Sequence, residues 1–242
     1  FNGHVGKKNQ APMQPDHDEE NHPKQPPYRP IPIHYQKKVS DHLEFLRQEG
    51  VIEDVDPKES YECVMNVVIT DKPKSPGDIR MNIDNTPWNE GMKRTQYHVQ
   101  TPQEIRHELS NAKVFSEMDM GFGYHQMELD EESSVKAIFQ THEGCHKMNR
   151  LYFGPTAGTG IFHSGVRKAL QGVPGTSSIH DNIIVHGVDF EDHARNLIAC
   201  LERCAEKGIT LKLSKCNFGQ TEIEWFGRVF SAHGVSADPN KI

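Results

Sequence analysis

Two acidic residues stand where chemistry is possible. Asp119 lies at the end of an apolar stretch, Val114–Met120, and is followed by Gly121-Phe122-Gly123. Asp181 sits in the polar triplet His180-Asp181-Asn182, between the short apolar stretches Ser177–Ile179 and Ile183–Val185. Taken singly, each reads as ordinary turn chemistry. Taken together on adjacent strand ends, two carboxylates repel, and a divalent cation relieves the repulsion. Magnesium favours a few carboxylates with substrate phosphates completing its shell. Two such ions clamp an in-line phosphoryl displacement. A zinc alternative rests on His142, Cys145 and His146, but no fourth ligand follows at a suitable spacing. The five cysteines (63, 145, 200, 204 and 216) include no Cys-x-x-Cys pair and read as free thiols.

Elements must position those acids. Val39, Leu43 and Leu46 fall at helical spacing, with Gly50 placed to end the helix. Cys63–Thr70 is a Val- and Ile-rich run expected to be a buried strand, Asp71–Gly77 a hairpin tip, and Asp78–Asp84 the returning strand. Thr101-Pro102-Gln103-Glu104 has the form of a helix start with a capping box, and Ile105 and Leu109 supply its inner face. Val114–Met120 is a strand. A hairpin is expected over Ala137–Thr141 and His146–Leu151, with its turn at Glu143-Gly144. Thr156–Leu170 is a helix whose inner face holds Ile161, Phe162, Val166 and Leu170. Asp189 caps another helix that runs to Lys207 and is closed by Gly208. Ile209–Leu213 and Glu222–Phe230 complete the chain as strand-like stretches. Hairpins mixed with helices predict an α+β fold, an antiparallel sheet backed by helices.

The composition excludes some classes. The chain has 242 residues, with 27 Lys and Arg against 34 Asp and Glu, a net charge of −7. A surface that is adhesive throughout to nucleic acid or anionic membrane is therefore excluded, while a basic cleft is not. Between 143 and 175, Lys147, Arg150, Lys168 and Arg167 face a single Glu, a local excess suited to template or primer phosphates. A mean hydropathy of −0.71 and the absence of long apolar runs argue against a membrane span. Residues 1–32 carry seven prolines with four basic and four acidic residues and read as an extended lead segment, laid over a surface or left disordered. No signal-peptide pattern opens the chain, and Phe at position 1 suggests a processed product or a fragment.

Several stretches, in order, resemble gypsy-type LTR-retrotransposon reverse transcriptases. Val114-Phe-Ser-Glu-Met-Asp-Met-Gly-Phe-Gly-Tyr-His-Gln126 resembles motif A, and Leu151-Tyr-Phe-Gly-Pro-Thr-Ala-Gly-Thr-Gly-Ile-Phe162 resembles motif B. Ile179-His-Asp-Asn-Ile-Ile-Val185 is similar to the motif C hairpin, Ile79-Arg-Met-Asn-Ile-Asp84 to the fingers strand, and Glu222–Gly234 to the primer grip. The resemblance implies the fingers–palm part of a right-hand polymerase, the RNA-directed DNA polymerase core of a Pol polyprotein. By that likeness the fingers are 33–95 and 127–156, the palm is 96–126 and 157–230, and a thumb begins at 231–242. It implies Asp119, Asp181 and Asn182 as the catalytic group, with Asp119 and Asp181 holding two Mg²⁺ or Mn²⁺ ions. Arg80 would grip the nucleotide phosphates, helped by Lys72 or Lys74. Tyr124 would be the gate against a ribose 2′-hydroxyl, Phe153 and Gly154 would line the nucleotide pocket, and Phe226 and Gly227 would form the primer grip. The implied partners are an RNA or DNA template–primer and dNTP, with self-association or the remaining Pol domains as further partners and no membrane. The implied location is intracellular, in a cytoplasmic retrotransposon particle or the nucleus.

Departures from the family pattern are as informative. The usual double Asp of motif C is Asp181-Asn182, which keeps an oxygen and loses a charge. His180 stands where an apolar or aromatic residue is common, and Thr86 where the fingers strand would reach an Arg. Ala157-Gly158-Thr159-Gly160 loosens motif B, since glycine weakens a helix. The sequence reaches Ile242, near the start of the thumb, with no RNase H segment within it. These changes leave open a degenerate or domesticated copy that binds nucleic acid or protein without catalysis. An unrelated ferredoxin-like α+β domain is the remaining alternative.

Overall fold

The computed structural model describes residues 3–8, 16, 18, 20, 22–56, 58–73, 75, 77–93, 104, 107–109, 111–225, 228–232 and 234–237. The chain divides into two compact units. Unit 1 holds 1–10, 97–123 and 162–242, and unit 2 holds 11–96 and 124–161.

Unit 2 begins with helix α1, Ile33–Gln48, which buries Val39, Leu43 and Leu46 as its spacing requires. It ends as the sequence predicts. Gly50 takes φ +64°, its N–H donates to the Arg47 carbonyl at 2.9 Å, and the Val51 N–H reaches back to the Leu46 carbonyl at 2.8 Å. This paired closure satisfies helix-end carbonyls and seats Val51 against Leu46. The sheet that follows has five strands: β1 (Ile52–Asp54), β2 (Met65–Asp71), β3 (Ile79–Ile83), β5 (Ile138–Thr141) and β6 (Gly144–Met148), in the order β1-β6-β5-β2-β3. Only β2 with β5 is parallel. The β5–β6 turn is His142-Glu143, one residue earlier than expected, because Gly144 already pairs with Thr141. Two short helices were not foreseen: α2, Thr86–Asn89, and α3, Glu131–Val135, the latter capped by the Asp130 side chain accepting from the Ser133 N–H.

Unit 1 is built on a wholly antiparallel sheet. Strand β4 (Val114–Asp119) lies between β8 (Asn182–Gly187) and β9 (Asn217–Gln220), with β7 (Thr176–Ile179) outside β8. Phe115, Ile179 and Ile184 join Leu109, Ala112, Ile223 and Phe230 in one buried cluster. Helix α4, Gly158–Leu170, starts two residues later than expected, and the division between units falls within it. Helix α5, Phe190–Glu206, opens with the Asp189 carboxylate accepting from the Asp192 N–H at 2.8 Å. A three-stranded sheet, β10 (Glu222–Trp225), β11 (Arg228–Ser231) and β12 (Gly234–Ala237), completes this unit.

Three expectations are corrected. Ile209–Leu213 is not a strand. It buries Ile209 and Leu211, but it joins the sheet through one isolated bridge, Leu211 with Met120, made by the Lys212 N–H on the Asp119 carbonyl and the Gly121 N–H on the Thr210 carbonyl. Glu222–Phe230 is two strands rather than one. The polar turn at 180–182 is shortened, because Asn182 pairs with Ile179 as the first residue of β8. The helix start at Thr101-Pro102-Gln103 lies outside the described residues. The lead segment has no regular structure in its described part, yet it is not merely laid over a surface. Val5 and Lys8 are buried, and the Lys8 ammonium donates to the Gly165 carbonyl. All five cysteines are free. Among the described residues no helix is long and apolar enough to cross a membrane.

Candidate active site

Asp119 is the last residue of β4, a strand with partners on both flanks. Its cross-strand neighbour on β8 is Asn182. Asp181 occupies the two-residue turn just before, and its carbonyl accepts from the Met120 N–H at 2.7 Å. The backbone after Asp119 passes close to that turn. A Cβ placed on Gly123 would stand 3.5 Å from the Asp181 Cβ. The two acids predicted from sequence are therefore brought to one end of one sheet, with Asn182 beside both. The turn is tight enough to hold His180 at φ +53°, a conformation uncommon outside glycine. The His180 Nδ1 meets the His163 Nε2 at 3.0 Å. Burial, then the His180 charge, hold the His163 pKa below its ordinary value, against a pull upward from Asp181.

Asp119 is mostly enclosed, its side chain 14% exposed. One oxygen, Oδ2, accepts from the Lys215 ammonium at 2.9 Å. Glu117 lies two residues earlier on the same face of β4. Burial, and then the charge of Asp119, push its carboxyl upward against a hydrogen bond from Asn217. Lys215 and Glu117 are the site residues that sequence reading missed. A strand period of two would have placed Glu117 with Asp119, whereas nothing in the spacing marks Lys215.

The nucleotide-pocket candidates belong to unit 2. Tyr124 stands in a 3₁₀ turn, Gly123–Gln126. Its hydroxyl donates to Thr159 Oγ1 at 3.0 Å, and its ring centroid lies 4.1 Å from that of Phe153. Phe153 is 57% exposed. Gly154 has φ +144°, and a Cβ there would come within 2.8 Å of the Ile83 carbonyl. Short helix α2 explains why the loop holds this course. Asn89 donates to the Gly154 carbonyl at 3.0 Å and accepts from the Thr156 N–H at 2.9 Å, while the Tyr152 hydroxyl donates to Asn85 at 2.7 Å. Thr86, at the position of a usual Arg, donates its hydroxyl to Asp84 at 2.6 Å.

Arg80 lies exposed on β3, opposite Thr70. Lys72 follows β2 and pairs with Asp78 at 3.7 Å. Lys74, Phe226 and Gly227 lie outside the described residues. The basic excess between 143 and 175 does not form one surface. Lys147 is held by Glu53 and Glu131 at 2.8 and 2.9 Å and Arg150 is buried, both in unit 2. Arg167 and Lys168 instead line a 670 Å³ groove of unit 1, with His163, His186 and Ser177. The zinc alternative is spent on structure: His142 pairs with Ser40, and His146 with Asp54 and Thr141. Among the described residues no three His, Cys, Asp or Glu side chains group as a metal cage. The acids at 119 and 181 thus offer two carboxylates, with the neutral Asn182 as third neighbour. That donor set suits a hard cation whose shell is completed by phosphate oxygens. The Lys215 ammonium already supplies positive charge at Asp119.

Residues 71–230 match the family profile described as "Reverse transcriptase (RNA-dependent DNA polymerase)". The chain is 28% identical over 217 residues to the retrovirus-related Pol polyprotein from transposon opus of Drosophila melanogaster, covering 88% of this chain and 21% of that one. It is 26% identical over 207 residues to the counterpart from transposon gypsy of the same organism, covering 84% and 20%. The chain thus spans about a fifth of the length of these curated relatives. Among solved structures, the foamy viral protease-reverse transcriptase dRH in complex with double-stranded DNA superposes with a TM-score of 0.85 at 19% identity, over 99% of this chain and 41% of that one. The same viral protein with an RNA/DNA hybrid gives 0.84 at 18%, over 99% and 32%. The fold is the fingers–palm fold of those enzymes.

Proposed function

The chain belongs to the reverse transcriptase (RNA-dependent DNA polymerase) family, and we propose that it is the fingers–palm core through which a retrotransposon Pol polyprotein copies RNA and DNA templates into DNA. The observation that carries this reading is the meeting of Asp119 and Asp181 at one end of the β4–β8 pair. On this reading unit 1 is the palm and unit 2 the greater part of the fingers.

Asp119 and Asp181 would hold the divalent cations, Mg²⁺ or Mn²⁺. Such ions, when bound, polarise phosphoryl oxygens and favour deprotonation of the attacking hydroxyl. Asn182 contributes an amide oxygen where the family usually has a carboxylate, so the site holds cations with one charge fewer. That lowers metal affinity and slows turnover without removing the chemistry. Arg80 would meet the triphosphate as a fixed cation, with Lys72, or Lys74, as its auxiliary. Tyr124, pinned by Phe153 and Thr159, is a wall of set height, suited to excluding a ribose 2′-hydroxyl. Phe153 and Gly154 would floor the pocket, and Phe226 with Gly227 would steady the primer end. Phosphoryl transfer needs positioning and electrostatics rather than covalent help, and these residues supply both. That the foamy viral relatives of this fold were solved on double-stranded DNA and on an RNA/DNA hybrid supports a template–primer as partner.

The test is extension of a DNA primer on an RNA template with dNTP and Mg²⁺ or Mn²⁺. The parent extends the primer slowly, and Asp119→Asn and Asp181→Asn each lose at least about three decades of rate, about 4 kcal/mol of barrier. A chain that binds template–primer but extends it at the same rate with and without Asp119 is a binding module instead.

A further inference from the structure

Lys215 is held at Asp119 by more than a surface ion pair. The segment that carries it is tied to the backbone around Asp119 by two hydrogen bonds. The Lys212 N–H donates to the Asp119 carbonyl at 2.8 Å and the Gly121 N–H donates to the Thr210 carbonyl at 3.2 Å, which together make the isolated bridge between Leu211 and Met120. A single 3₁₀ turn, Leu213–Lys215, then closes with the Lys215 N–H on the Lys212 carbonyl at 2.9 Å. The side chain rises from that turn and sets its ammonium 2.9 Å from Asp119 Oδ2. The carboxylate is nearly enclosed, whereas the lysine remains 54% exposed and has open solvent to retreat into. The crowding of Glu117 on the same face increases the need for a local cation.

We propose that Lys215 is an internal counter-cation: it occupies Asp119 when no divalent ion is bound, and a divalent ion must displace it. This rests on the assignment of Asp119 as a metal ligand. An ammonium at 2.9 Å on one carboxylate oxygen and a divalent ion on the same carboxylate repel one another at short range. The lysine therefore keeps the acid compact and paired during folding and raises the metal concentration at which the site fills. Lys215 is a positioning residue, acting through Asp119.

The experiment is direct Mn²⁺ binding by the 242-residue chain, with no nucleic acid, followed by the electron paramagnetic resonance signal of free Mn²⁺. Four proteins are compared: the parent, Lys215→Ala, Lys215→Arg and Asp119→Asn. Lys215→Ala should bind Mn²⁺ about three- to ten-fold more tightly, the competition expected of a half-exposed pair on an enclosed carboxylate. Lys215→Arg, which keeps the charge, should stay within about two-fold of the parent. Equal or weaker binding by Lys215→Ala overturns the counter-cation, even where Asp119→Asn abolishes binding and so upholds Asp119 as a ligand. Binding that is indifferent to Asp119→Asn, or absent from both the parent and Lys215→Ala, overturns the ligand assignment and the counter-cation with it. Lys215→Gln serves as a second neutral variant, and matching melting curves establish that each protein is folded.

Discussion

Asn182→Asp is the sharpest perturbation of the site, because its cost depends on metal. Asn182 faces Asp119 across the β4–β8 pair and follows Asp181 directly. Residues opposite one another on antiparallel strands have Cα atoms about 4.5–5.5 Å apart, so the new carboxylate lies on the order of 5 Å from an existing one. Two like charges at that distance cost about 3 kcal/mol at an effective dielectric of 20, and about 1 kcal/mol in water. Asp181 is exposed, Asp119 is enclosed and Lys215 offsets part of the charge, so a net cost of about 1–2 kcal/mol is expected without metal. For a chain of this size that lowers Tm by about 3–6 °C in EDTA. In saturating Mn²⁺ the gap narrows. A site bound ten-fold more tightly contributes about 1.4 kcal/mol of extra stabilisation, which cancels most of the deficit. Primer extension should rise with it, by about two decades. The assays are differential scanning fluorimetry with EDTA and with Mn²⁺, and primer extension on an RNA template. If Asn182→Asp melts at or above the parent in EDTA, or if Mn²⁺ raises both proteins by the same amount, residues 119, 181 and 182 do not share a cation and the reasoning fails.

Gly154→Ala forces a Cβ to 2.8 Å from the Ile83 carbonyl at φ +144°. It should cost about 2–3 kcal/mol, read as a fall in the urea midpoint with unchanged slope. His125 is held neutral by burial, its pKa depressed to about 4 despite the Leu151 carbonyl at its Nδ1. The unfolded chain takes up this proton near pH 6.5 and the folded chain only near 4, so stability is present above about 6.5 and falls with acidification across that window. His125 as a residue is half-buried, so the loss is about 2 kcal/mol, less than the full shift would give. In His125→Gln, urea titrations from pH 7 to 4 should lose that portion of the slope.

The local half of the site was legible from the chain. Apolar runs broken by glycine or by a polar triplet placed Asp119 at a strand end and Asp181 at a hairpin tip, and Asp189 announced its helix by its capping side chain. What escaped depends on partners far away in sequence. Lys215 reaches Asp119 across 96 positions. Strand β9 is exposed at all four residues, so it has no hydrophobic period to read. Ile209–Leu213 misled because its buried apolar residues alternate as in a strand, while its backbone makes a single bridge at the end of β4 and no ladder. The basic excess misled in the opposite way, because charge counted along the chain says nothing of which cations are already neutralised. The course of the Gly154 loop depends on Asn85 and Asn89, two amides whose roles are set by geometry and not by composition.

The flanking of β4 by β8 and β9 bears on how such a protein is made. The strand carrying Asp119 gains its second neighbour only when residues 217–220 have been synthesised, and its lysine arrives at 215. A ribosome that has released the first two hundred residues has therefore produced a chain with one open sheet edge beside an unneutralised acid. A chain that ends before Asn217 leaves this edge of β4 unpaired, a row of backbone groups open to association with other chains.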